Sequence, residues 1–126
     1  MISTYWTVYF LSLGGLVAFI VFRRWGQISR KTASDLVRKG ALVVDVRHPE
    51  QFNSGHLSQA FNMPVDEIEG MISQTVRDRN RVILVHCQFG LRSKKAKERL
   101  TRIGYTNVFD LGSYERAFRV VTGRIM

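Results

Sequence analysis

Cys87 is the single cysteine of this chain. It stands where an apolar run, Arg81-Val82-Ile83-Leu84-Val85-His86, gives way to Gln88-Phe89-Gly90-Leu91-Arg92 and then Ser93. A strand that ends on a cysteine, followed by a glycine-containing loop and a basic residue at a helix start, is the setting that an activated thiolate needs. Loop N–H groups and the positive end of a helix dipole then surround the sulfur. Such surroundings favour the thiolate, which is the nucleophilic form. A free cysteine is also a common core filler. On strand position alone that reading is the better one, and the loop after the strand reverses the preference.

The elements that must hold this cysteine alternate in type along the chain. Thr32 to Lys39 reads as a short helix, with Thr32 as its cap, Asp35 in its first turn and Gly40 as its stop. Ala41-Leu42-Val43-Val44-Asp45-Val46 is a nearly continuous apolar run, as in a strand covered on both faces. Ala60 to Met63 predicts a short strand before Pro64, Val65 to Ser73 a helix, and Val82 to His86 a second strong strand. From Leu91 onward, Ala96, Leu100 and Ile103 share one helical face, which places Lys94, Lys95 and Arg99 toward solvent. Asn107 to Leu111 predicts another strand and Tyr114 to Val121 another helix. Alternating strands and helices imply an α/β fold, a mostly parallel sheet with helices on both faces. Ligands of such sheets bind beyond the carboxyl ends of the strands, where Cys87, Asp45 and Arg47 fall.

Ahead of that domain, the first 22 residues carry no charged side chain. Ile2 to Phe22 has about the 20 residues needed to cross a bilayer as a helix. Tyr5, Trp6 and Tyr9 mark one interface, and Arg23, Arg24 and Trp25 close the other. The expected division is a transmembrane anchor over residues 1–24 and a folded domain over 25–126. Arg23, Arg24, Arg30 and Lys31 follow the span directly, so the positive-inside rule places the domain in the cytoplasm. A lone cysteine excludes an intramolecular disulfide, which fits a reducing compartment. The net charge of +9 belongs wholly to residues 23–126. No nucleic-acid motif accompanies it, and the aromatics are not interleaved with the basic residues, so nucleic acid is not the expected partner. Contact of the juxtamembrane arginines with anionic lipid is the simplest use of the charge.

Taken in order, several pieces of the chain resemble a rhodanese domain. They are Val44-Asp45-Val46-Arg47 with Glu50 and Phe52, Gly55-His56-Leu57, and Ala60-Phe61-Asn62-Met63-Pro64. The loop from Cys87 to Arg92 follows, then Gly104-Tyr105 with Val108, and Leu111-Gly112. The resemblance covers residues ~28–122 and implies a central parallel sheet with helices on both faces, preceded here by the N-terminal span. It further implies a sulfurtransferase in which Cys87 carries a persulfide from a sulfur donor, thiosulfate or a protein persulfide, to a thiophilic acceptor. Gln88, Phe89, Gly90, Leu91 and Arg92 would then form the substrate cradle, an arrangement of N–H donors that favours both anionic sulfur states. Gly90 lets the backbone bend toward the sulfur. Arg92 would supply positive charge at the pocket wall, or alternatively pair with a carboxylate, Asp45. Asp45, Arg47 and Glu50 would support the site structurally, with Arg47 paired to Glu50. No metal or cofactor is expected.

His56 reads as a packed turn residue. His86 is expected to point to the opposite face from Cys87, and a stabilised thiolate leaves none of the three histidines obliged to act as a base. Loop length bears on the chemistry. Protein tyrosine phosphatases and their rhodanese-fold relatives carry one residue more between cysteine and arginine, a wider cradle that suits phosphate. Two departures from the family pattern concern the donor. Gln88 stands where many active members have a positive residue, and a late Gly-Gly pair with a tryptophan beyond it is replaced by Leu111-Gly112-Ser113-Tyr114. The rival reading, from a different class, is a non-enzymatic module that uses the same fold to bind a partner at the membrane.

Overall fold

Leu42–Asp45 (β1), Ala60–Asn62 (β2), Ile83–His86 (β3) and Val108–Gly112 (β4) form one parallel sheet in the order β2-β1-β3-β4. The computed structural model describes residues 2–123. The side chain of Arg23 and residues 124–126 of the expected domain lie outside what is described. Among the described residues, six α-helices flank or precede the sheet: Ile2–Arg24 (α1), Arg30–Arg38 (α2), Pro49–Ser54 (α3), Ile68–Thr75 (α4), Leu91–Arg102 (α5) and Tyr114–Thr122 (α6).

The two central strands are buried on both faces, which is why they read as unbroken apolar runs. Alternate residues feed two separate cores. Val44, Ile83, Val85 and Cys87 pack with Ile68 and Ile72 of α4 and Ala96 and Leu100 of α5. Val43 and Leu84 pack on the other face with Ala33 of α2 and Ala117 and Val120 of α6. In register, Asp45 pairs with His86 at the carboxyl end of the sheet. Between β3 and β4 the register slips at Val85/His86, so that His86 lies opposite Gly112. This bulge turns the Gly112 carbonyl toward the Cys87 N–H, which donates to it at 3.0 Å.

Local details depart from the sequence expectations where two signals compete. The α2 cap is Ser29, whose Oγ accepts from the Thr32 N–H at 3.3 Å, so the helix starts two residues earlier than Thr32 implies. The helix expected over Val65 to Ser73 is divided into a 3₁₀ turn, Val65–Glu67, and α4. The short helix α3 had no sequence signal beyond Pro49 at its first turn, because it buries none of its residues. Lys94 and Arg99, expected in solvent, are half-buried. Arg99 bridges to Glu69 at 3.2 Å, and Lys94 donates to the Trp25 carbonyl with Asp110 at 4.0 Å. The chain following α1 covers the α5 surface that the helical pattern assigned to water.

Candidate active site

Cys87 follows β3 directly, and its side chain belongs to the α4/α5 core with 1% of its surface exposed. Gly90 adopts φ 92°, ψ −1° as the cap of α5, a left-handed conformation open to glycine at little cost. That turn bends the loop back over the sulfur. The Gly90 N–H donates to Sγ at 3.0 Å and the Ser93 N–H at 3.4 Å. The Ser93 hydroxyl stands 3.6 Å from Sγ and donates to the Gly90 carbonyl at 3.1 Å. Two main-chain donors and the amino-terminal end of a 12-residue helix therefore converge on one sulfur, an arrangement that favours negative charge there. The expected cradle ran from Gln88 to Arg92. One of the two donors, Ser93, lies a residue beyond it, because the first helical turn as well as the loop faces Sγ.

The remaining cradle residues divide between rim and wall. Phe89 and Leu91 sit exposed at the rim, 62% and 42% open to solvent. The Gln88 side-chain oxygen accepts from Arg47 Nη1 at 3.0 Å, so a guanidinium reaches the position where Gln88 itself brings no charge. Among the described residues, Arg92 pairs neither with Asp45 nor with any other carboxylate. Its Nη1 donates to Gln51 Oε1 of α3 at 3.1 Å, which ties α5 to α3. Asp45 is unavailable to it, since its side chain is committed to Arg47.

The Asp45–Arg47 pair is buried and forked, with Arg47 Nη2 2.7 Å from Oδ2, Nε 3.0 Å from both oxygens, and the Arg47 N–H 3.0 Å from Oδ1. Arg47 Nη2 also donates to the Gly55 carbonyl at 2.8 Å, and its guanidinium lies 4.7 Å over the Tyr114 ring. The expected Arg47–Glu50 pair is not formed; Glu50 is exposed in the first turn of α3. Asn62 fastens the strand end by donating to the Asp45 and Arg47 carbonyls, each at 3.0 Å. His56, expected as a packed turn residue, is hydrogen-bonded but exposed: its Nδ1 donates to the Phe52 carbonyl at 2.8 Å, and its ring stacks on Phe52.

His86 lies on the Asp45 side of the sheet, away from the Cys87 sulfur, as strand alternation requires. Its Nδ1 is 3.3 Å from the Cys87 carbonyl, an acceptor, which places the proton on Nδ1 of the neutral ring. Nε2 is buried without a hydrogen-bond partner among the described residues, 3.8 Å from Asp45 Oδ2. Burial pushes the His86 pKa down, outweighing the opposing pull of Asp45. An unfolded chain takes up a proton on this residue below about pH 6.5, whereas the native ring resists it. Stability should therefore fall as pH drops through that value and stay flat above it. Thermal melts across pH 5–8 check this, and His86→Gln is expected to flatten the acid side of the profile.

Asp110 of β4 is a second buried group without an obvious sequence signal. Its Oδ1 accepts from the Gly112 N–H at 2.8 Å, and Oδ2 has no hydrogen-bond partner among the described residues. Burial raises its pKa, against the lowering effects of Ser93, Gly112, Lys94 and Lys97.

Residues 29–116 match the family model described as Rhodanese-like domain. The chain is 41% identical over 69 residues to the thiosulfate sulfurtransferase PspE of Escherichia coli (strain K12), a match covering 55% of this chain and 66% of that protein. It is 36% identical over 100 residues to the chloroplastic thiosulfate sulfurtransferase 16 of Arabidopsis thaliana, covering 69% of this chain and 82% of the relative. Among solved structures, it is similar to a rhodanese with anions from E. coli, at 36% identity and a TM-score of 0.59 over 61% of this chain and 91% of that one. The two relatives are named as thiosulfate sulfurtransferases, and the family match over residues 29–116 spans the sheet together with the Cys87 loop. The chain belongs to the rhodanese-like domain family.

Proposed function

We propose that the protein is a membrane-anchored sulfurtransferase that carries a persulfide on Cys87. The observation that carries this reading is the convergence of the Gly90 and Ser93 N–H groups on Sγ, within a loop of four residues between Cys87 and Arg92. With thiosulfate as donor, the Cys87 thiolate attacks the outer sulfur and a new S–S bond forms. The bond to the sulfonate sulfur breaks, and its electron pair leaves with sulfite. An acceptor thiolate then attacks the outer sulfur of Cys87–S–S⁻ and restores the Cys87 thiolate. The attacking thiolate and the persulfide it forms are both anions, so the same two donors stabilise each of them. The Ser93 hydroxyl is close enough to turn from the Gly90 carbonyl toward an ionised sulfur. A small sulfur donor such as thiosulfate, or the persulfide of a donor protein, would supply the sulfur.

The anchor reading rests on Ser3–Phe22, a 20-residue apolar stretch of α1 with none of its length buried against the domain. Water does not tolerate so much contiguous apolar surface, and a bilayer covers it. The basic residues Arg24, Arg30 and Lys31 beyond it favour a cytoplasmic domain.

One experiment addresses the chemistry in the full chain. Protein retained in membranes after an alkaline carbonate wash is solubilised, incubated with thiosulfate or with a cysteine-desulfurase sulfur source, and weighed intact. A gain of one sulfur atom is expected, removable by reductant and absent from Cys87→Ala. If no donor adds mass to a folded protein, the sulfurtransferase reading falls and the binding-module reading takes its place.

A further inference from the structure

The span leaves the domain at the same edge of the sheet that carries Cys87. Gly26, at φ 79°, reverses the chain after α1, and Gln27–Ile28 then run parallel to β4, with the Ile28 N–H donating to the Asp110 carbonyl at 3.1 Å. Trp25 and Gly26 lie beside Lys94, Lys97, Glu98, Thr101, Arg102 and Asp110, and the Trp25 carbonyl accepts from Lys94. Phe22 meets the same Lys94, in the first turns of α5, with the ammonium 5.9 Å from its ring. The end of α1 is thus held at the first turns of α5, while Arg24 lines a cavity beside Ser113, next to the catalytic loop. Ser3–Phe22 before it is not buried against the domain.

Two further features occupy the same edge. The exposed apolar residues of the loop, Phe89 and Leu91, stand there, and Phe89 is bridged to Ser113. Beside Ser113 a cavity of about 590 Å³ opens between the end of α1 and α6, lined by Arg24, Arg30, Glu115, Arg116 and Arg119. The one carboxylate in this lining, Glu115, is taken by Arg119 at 2.5 Å. Arg116 is held by the Leu111 and Ile28 carbonyls. Burial pushes its pKa down; Asp110 opposes this, while Arg30 and Arg24 add to it. Guanidiniums that repel one another around a cavity are matched by an anion, and this cavity sits where the apolar span ends, at the depth of lipid headgroups.

We propose that the carboxyl edge of the sheet, catalytic loop included, lies against the headgroup layer of an anionic bilayer, with lipid phosphate in the Arg24/Arg30/Arg116/Arg119 cavity. The apolar rim residues Phe89 and Leu91 enter the interface, and the partner that exchanges sulfur with Cys87 does so at the membrane surface. This inference rests on the anchor reading, and its test separates the two.

The full chain, with Trp6 and Trp25 replaced by phenylalanine, receives a reporter tryptophan by Phe89→Trp or, at the far end of α4, by Gln74→Trp. Each is reconstituted in vesicles of phosphatidylcholine with or without phosphatidylglycerol, and fluorescence is quenched with lipids brominated near the headgroup. Quenching is expected to be several-fold stronger at position 89 than at 74. It should increase with phosphatidylglycerol and decline in Arg24→Gln/Arg30→Gln, with retention after an alkaline carbonate wash unchanged. Equal quenching at the two positions in a carbonate-resistant protein overturns the apposition and leaves the anchor standing. Release of the protein by carbonate overturns both.

Discussion

Arg47→Ala is expected to lower the unfolding free energy by about 3–5 kcal/mol, the usual cost of breaking a buried ion pair from one side. Asp45 is fully buried, and Arg47 supplies its side-chain hydrogen-bond donors from Nε and Nη2 as well as from the main chain. Without the guanidinium a carboxylate remains in the interior with only one main-chain N–H. The Gly55 carbonyl and the Gln88 side-chain oxygen lose their donors as well. Against a total stability of about 5–15 kcal/mol for a typical domain, this is enough to unfold much of the population at elevated temperature. Removing both charges together is predicted to behave differently. Asp45→Leu/Arg47→Met leaves no orphaned ion and should recover a large part of the loss, since apolar replacement of a buried pair is often close to neutral. Denaturant unfolding of the two variants and the parent measures this coupling. An Arg47→Ala protein as stable as the parent would show that the pair is not what locks the strand end.

The elements that position the site were legible because their residues leave few alternatives. Aliphatic runs buried on both faces define β1 and β3, and a glycine two residues before Arg92 marks the bend over the sulfur. The pairing partners were less legible. Asp45 and Arg92 both fall at the carboxyl edge, and proximity along the fold made them candidates for one another. Yet Asp45 alternates with Val44, so its carboxylate faces α6 while Cys87 and α5 occupy the opposite face. The alternation that correctly separated His86 from Cys87 separates Asp45 from Arg92 in the same way. Arg47 finds Asp45 rather than Glu50 because Glu50 sits in the first turn of a short surface helix that buries nothing, and hence leaves no periodic trace. Gln51 escaped notice for the same reason, although it holds Arg92. Neither the meeting of the α1 end with α5 nor the cover of Lys94 by Trp25 and Phe22 has a signature in hydrophobic spacing. Both depend on the reversal at Gly26 and on pairing with β4 across a long stretch of chain.

Gly90→Ala is expected to slow sulfur loading of Cys87 by about a hundredfold, the usual range for losing one preorganised donor to a developing anion. A Cβ at φ 92° costs about 1–2 kcal/mol in the left-handed region. The loop can relieve that strain by rotating the peptide that now aims its N–H at Sγ from 3.0 Å. The helix start would follow, carrying the Ser93 N–H away from 3.4 Å. A matched control separates strain from lost donation. Gly104 has φ 103°, and open space surrounds its position, where a Cβ would meet nothing within 4 Å. Its N–H bonds to the Thr101 carbonyl at the far end of α5 and makes no contact with the sulfur. Gly104→Ala therefore bears a similar backbone penalty and should lose a similar amount of stability while loading at the parental rate. Single-turnover mass measurements with thiosulfate, run beside thermal melts, distinguish the two variants. If Gly90→Ala and Gly104→Ala load sulfur equally fast, the Gly90 N–H is not a donor that matters to the reaction. The cradle would then reduce to the Ser93 N–H and the helix end behind it.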